Sequence, residues 1–163
     1  MAKSLSRSNK EIADLYECHV NMVYRICFAY MKNTTDTEDM VQSTFVKLIE
    51  YSGKFENIEH EKAWLIRTAS NQCIDNLRRK WRKDVPLEKQ NIYKEPAFEI
   101  NEILQAVLQL PDKYKTIVYM YYYEGYTSAE IANTLGKPKS TVRNYLHEAR
   151  GLLRERLGDE FDE

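Results

Sequence analysis

The chain has 163 residues, enough for one ordinary domain or two small ones, with 43% hydrophobic and 30% charged residues and only five Gly and four Pro. That balance favours an all-α, helix-rich fold over a sandwich or a disordered chain. The net charge of −1 conceals two basic stretches, one from Lys62 to Lys83 and one from Lys137 to Arg156, and local fields rather than net charge govern encounter with a phosphate backbone.

In chain order, Ile12, Leu15, Tyr16, His19, Val23, Ile26, Cys27 and Tyr30 recur every three or four residues and predict a helix over 9–31. Thr35 and Glu38 are spaced as a capping box and predict the start of a second helix, with Met40, Val41, Thr44, Phe45, Leu48 and Ile49 facing inward. Residues 54–60 read as a polar loop containing Phe55. A third helix carries Ala63, Trp64, Leu65, Ala69, Ile74 and Leu77 and ends in the basic run from Arg78 to Lys83. The period then breaks: residues 84–100 hold Pro86 and Pro96 among mixed charges and read as a linker between domains at 9–83 and 101–158. Ile103, Leu104, Val107, Leu108 and Leu110 predict the next helix, which Pro111 stops. Tyr114, Ile117, Val118, Tyr121 and Tyr122 predict another, running to Gly125. A short helix over 127–135 and a last one over 140–157 complete the chain, followed by an acidic tail.

The most informative stretch is 126–143. Thr127 and Glu130 form a second capping box, Ala132 is small enough for close helix crossing, and Gly136 suits a left-handed helix end. Ser140 is suited to cap the following helix, whose Val142 and Leu146 can pack back on Ile131 and Leu135. This is the pattern of a helix-turn-helix. The second helix of that motif enters the major groove at its N-terminal end, here Ser140, Thr141, Arg143, Asn144 and His147. A guanidinium fork matches guanine and a carboxamide matches adenine, while Lys137, Lys139 and Arg150 suit phosphates. A helical hairpin that merely packs is the plainer alternative.

Glu130-Ile131-Ala132, Leu135-Gly136, Thr141-Val142-Arg143 and the stretch Leu146-His147-Glu148-Ala149-Arg150 resemble the promoter-reading C-terminal domain of extracytoplasmic-function sigma factors, with Leu110-Pro111 resembling its entry. Glu148 departs from the pattern, in which a basic residue is frequent. In the N-terminal half, Asp39, Gln42, Ser43 and Phe45 are similar to the family's polymerase-docking helix, and the first three lie at spacings that form one stripe. Trp64-Leu65, Asn71 and the run from Asp75 to Arg79 resemble the family's downstream-element helix. The resemblance implies that this helix and the loop before it read a melted promoter strand. Phe55 and Asn71 would take an extruded base, Arg78, Arg79 and Lys80 would hold phosphates, and Lys62 and Arg67 would join them in binding the downstream element. It further implies three partners: bacterial core RNA polymerase, promoter DNA and an anti-sigma protein.

Other chemistry finds little support. There is no glycine-rich phosphate loop, and His19, His60 and His147 lack metal-ligand spacing with Cys18, Cys27 and Cys73, so no metal, no cofactor and no enzymatic activity are expected. The odd, loosely spaced cysteines suit a reducing compartment, and the start MAKSLSRSNKE lacks an apolar run, so the expected location is the cytoplasm. Two rivals are a stand-alone DNA-binding regulator and a helical adaptor that binds no DNA.

Overall fold

The computed structural model describes residues 7–82 and 101–158, and every regular element among them is helical. The expected linker, Lys83 and the acidic tail beyond Gly158 lie outside the described residues. The chain divides into two compact units, Met1–Glu95 and Pro96–Glu163.

The first unit is three mutually packed helices, α1 (Asn9–Met31), α2 (Thr34–Glu50) and α3 (Ile58–Arg82). The Ser8 side chain caps α1 by accepting from the Glu11 N–H. Val23, Ile26 and Cys27 of α1 meet Val41 and Leu48 of α2 and Leu65, Ile66, Ala69 and Cys73 of α3 in a closed core. Each such fully buried aliphatic side chain stabilises the fold by roughly 1.5–3 kcal/mol. The α1–α2 joint differs from the sequence expectation. Lys32 takes a left-handed conformation (φ 63°) that ends α1, and Asn33 caps α2, its Oδ1 accepting from the Asp36 N–H at 2.8 Å. The same carboxamide donates to the Met31 carbonyl at 3.1 Å, so one short side chain closes both helix ends. Thr35 therefore lies inside α2, and the expected Thr35–Glu38 capping box does not form. On the inward face of α2, Met40 and Ile49 are only half-buried, whereas Thr37 is fully buried with its hydroxyl on the Asn33 carbonyl at 2.6 Å. Helix α3 starts before the end of the expected loop, because Asn57 Oδ1 accepts from the His60 N–H at 2.8 Å.

The second unit comprises α4 (Glu102–Gln109), α5 (Asp112–Val118), α6 (Ser128–Leu135) and α7 (Lys139–Leu157). Asn101 caps α4 through the Leu104 N–H at 2.8 Å. Leu104, Val107, Ile117, Val118, Tyr119, Met120, Ile131, Val142, Ala149 and Leu153 make its core. Helix α5 runs into a π turn over Tyr119–Tyr123, marked by the Glu124 N–H donating to the Tyr119 carbonyl at 3.2 Å. The wider turn shifts the apolar register. Tyr119 and Met120 go inward, while Tyr121 and Tyr122, expected inside, are half-exposed.

Candidate nucleic-acid interface

In the second unit, Thr127 caps α6 and Glu130 closes the box: the Thr127 hydroxyl accepts from the Glu130 N–H at 3.1 Å, and the Glu130 carboxylate accepts from the Thr127 N–H at 3.0 Å. The Thr127 backbone N–H, then its hydroxyl, holds the Glu130 carboxyl below the ordinary range. Gly136 adopts φ 65°, and the Lys137 N–H returns to the Ala132 carbonyl at 3.0 Å, which turns the chain sharply into α7. That helix begins at Lys139 behind Pro138, which supplies no side-chain cap. Ser140 is thus not the cap expected of it; it sits within the first turn, exposed. The buried face of α7 is Val142, Leu146, Ala149 and Leu153, and α7 packs on α6. Ser140, Arg143, Asn144 and His147 are exposed at i, i+3, i+4 and i+7, which sets them on one face, with Thr141 half-exposed beside them. Lys137 and Lys139 are exposed at the turn.

Arg150 is half-buried, and its Nε donates to the Tyr122 hydroxyl at 3.0 Å, which fastens α7 to the π turn. Glu148 also has a partner that sequence reasoning missed: the Tyr114 hydroxyl donates to its Oε2 at 2.5 Å. That bond, then burial, pushes the Tyr114 phenol up. Lys113 Nζ lies 4.9 Å above the same ring, which meets Tyr145 edge-on at 5.5 Å. An acid in the place of a frequent base thus serves to lock α5 against α7.

In the first unit, Arg67, Asn71 and Arg78 are exposed at i, i+4 and i+11, close to a single stripe along α3. Arg79 is exposed further round the helix, and Lys62 is half-buried on another face. Lys80 is pinned by an ion pair to Asp36 at 3.0 Å. Burial works against ionisation of Asp36, but the Asn33 amide and the Lys80 ammonium outweigh it and hold that carboxyl below the usual range. Phe55 belongs to an aromatic cluster. It stacks on Tyr51 at 5.6 Å, lies 5.8 Å from Trp64, and meets His60 edge-on at 5.3 Å. An open cleft of about 580 Å³ beside Phe55 is walled by Arg7, Glu11, Asp14, Leu15 and Cys18 among others. Asn71 is exposed on α3 and is not among the residues that line this cleft.

On α2, Asp39 and Gln42 are exposed and Ser43 is half-exposed, forming the expected stripe. Phe45 does not share it. It is buried, with its ring 4.8 Å from Tyr16, and holds α2 to α1. His19 is likewise structural, its Nε2 2.9 Å from Glu61 Oε1 between α1 and α3. Among the described residues no group of three or more His, Cys, Asp or Glu is placed to hold a metal, and no helix is long and apolar enough to cross a membrane.

Comparison with known proteins matches residues 15–83 to Sigma-70 region 2 and residues 100–153 to Sigma-70, region 4. The chain is 30% identical to the RNA polymerase sigma factor SigV of Bacillus subtilis over 87% of this chain and 88% of that protein. It is 28% identical to the ECF RNA polymerase sigma factor SigW of the same organism, covering 90% of this chain and 89% of the relative. Among solved structures it resembles the sigma factor RpoE of Bartonella quintana, crystallised with the anti-sigma factor NepR (TM-score 0.70, 18% identity, 92% of this chain and 98% of that one). It also resembles CnrH in complex with the cytosolic domain of CnrY (TM-score 0.64, 21% identity, 97% and 93% covered).

Proposed function

This chain belongs to the extracytoplasmic-function group of the sigma-70 family, and from that premise we propose a division of labour between its two units. The protein is a transcription initiation factor that brings core RNA polymerase to particular promoters. In our reading the domains span 9–83 and 101–158, with 84–100 as the connection. The C-terminal domain reads the upstream promoter element as duplex. Arg143 and Asn144 supply base choice there, aided by Ser140, Thr141 and His147, and Lys137 and Lys139 supply affinity for phosphates. The N-terminal domain opens and reads the downstream element through the Phe55 loop and the α3 stripe of Arg67, Asn71 and Arg78. The exposed Asp39, Gln42 and Ser43 face docks on the polymerase. The protein itself catalyses nothing and works in the cytoplasm. Its solved relatives in complex with NepR and with CnrY support control by an anti-sigma partner.

One observation carries this reading. A helix-turn-helix closed by a capping box and a left-handed glycine presents one polar, basic face of its second helix while the other face is fully buried. The test is run-off transcription with purified core polymerase on a promoter library, with and without the protein. Start sites that require the protein and share two spaced motifs are expected. No new start sites, together with no binding to core polymerase, would leave a stand-alone regulator or an adaptor as the better reading.

A further inference from the structure

The loop that carries Phe55 is held from outside itself. Residues 51–57 connect α2 to α3, and within them the Tyr51 ring stacks on that of Phe55 at 5.6 Å. The turn is tight: a Cβ on Gly53 would come within 2.3 Å of the Tyr51 ring. Arg7, far away in sequence, reaches into it. One guanidinium nitrogen donates to the Tyr51 carbonyl at 2.6 Å and the other to the Gly53 carbonyl at 2.5 Å. The guanidinium carbon lies 4.7 Å from the Phe55 ring centroid and 5.6 Å from that of Tyr51. Only 9% of Arg7 is exposed, so solvent does little to weaken these contacts. A planar fork that bonds two carbonyls while its face covers an aromatic ring is arginine chemistry; a lysine can supply the cation but not the fork.

We propose that Arg7 is a positioning residue for base reading: it fixes the Tyr51–Phe55 turn so that Phe55 presents one wall of the cleft before any nucleic acid arrives. The proposal rests on the reading of this loop as the downstream-element reader. The energetic logic is preorganisation. A loop already held in its binding shape does not have to be ordered by each base that enters, and cognate bases benefit more than others because only they use its geometry.

The experiment uses the full chain bound to core polymerase and two single-stranded oligonucleotides, one with the downstream motif and one with it scrambled. Arg7→Ala is expected to lower the cognate-to-scrambled affinity ratio about tenfold, the scale of a lost charge-assisted hydrogen-bond pair, with affinity for core polymerase unchanged. Arg7→Lys should fall between the two. A second measurement reads the loop directly in a Trp81→Phe background. Trp64, whose ring is 4.8 Å from Tyr51, should become more open to acrylamide quenching in both Arg7 variants. A wild-type ratio in Arg7→Ala, an equal loss on both oligonucleotides, or unaltered Trp64 quenching overturns the proposal while the wild-type preference stands. Equal binding of both oligonucleotides by the unmodified complex overturns the reading of the loop and the proposal with it.

Discussion

Replacing Arg143 with alanine separates sequence choice from affinity. The side chain is exposed on the first turns of α7, while Val142 and Leu146 on the other face carry the packing. Its loss should therefore change folding stability by no more than about 0.5 kcal/mol. A bidentate contact to a base edge is worth about 1–3 kcal/mol of discrimination, so preference at one base pair should fall by roughly five- to 150-fold. Lys137, exposed in the turn before α7, serves as the contrast. Lys137→Ala should weaken all duplexes alike and reduce the slope of log affinity against log salt by about 0.9. The assay is a titration of the polymerase-bound protein with a panel of duplexes, each changed at one base pair of the upstream motif, at several salt concentrations. If Arg143→Ala weakens every duplex by one common factor, Arg143 is a phosphate ligand and the assignment of base reading to this face is wrong.

Thiol chemistry should divide the cysteines, because Cys18 is exposed whereas Cys27 and Cys73 are buried. Their contact with each other, then burial, pushes the Cys27 thiol well up. A thiol reagent should label Cys18 alone in the native protein at neutral pH and all of the thiols after denaturation; rapid native labelling of Cys73 would contradict the packing of α1 on α3. Asp36→Asn tests the Asn33–Asp36–Lys80 lock through pH. A carboxyl held below its ordinary value stabilises the fold above its unfolded pKa, about 3.9, and ceases to do so as pH falls through the lower folded value. The variant should therefore unfold more easily than wild type at pH 7, by less than about 1 kcal/mol for a partly exposed pair, and the gap should close on acidification. A gap that stays constant into strong acid would remove the lock from the account. Leu48→Ala, at a fully buried site, should cost about 2–5 kcal/mol in urea unfolding followed by tryptophan emission. A cost below about 1 kcal/mol would mean the three-helix core is packed otherwise.

Local signals carried most of the fold. The span of α1 follows from the spacing of Val23, Ile26, Cys27 and Tyr30, and the Thr127–Glu130 box and Gly136 are encoded within a dozen residues of one another. Features decided at a distance were not legible. Phe45 reads equally well as a docking residue or as core until Tyr16 of α1 covers it. Arg150 and Lys80 look like free cations until the Tyr122 hydroxyl and the Asp36 carboxylate are brought to them by the fold. The joint at Lys32–Asn33 was missed for another reason. A non-glycine residue in the left-handed region is uncommon, and here the reach of the Asn33 side chain to both helix ends favours it over the Thr35 cap. The π turn was hidden because Tyr121, Tyr122 and Tyr123 are consecutive and satisfy any helical period.

That π turn bears on how the chain tolerates changes in length. A π turn holds one more residue than the α turn it replaces, so it is the local form that a single-residue insertion takes when the rest of the helix keeps its phase. The Tyr119–Tyr123 segment absorbs that extra residue just ahead of Gly125, where the chain leaves α5 for the helix-turn-helix. Removing one of Tyr121, Tyr122 or Tyr123 should leave an ordinary α-helix joining the same two ends. The tolerance is confined to this turn: a deletion among the buried residues of α5, Tyr114–Val118, would instead rotate them out of the core and break the Tyr114–Glu148 bond to α7.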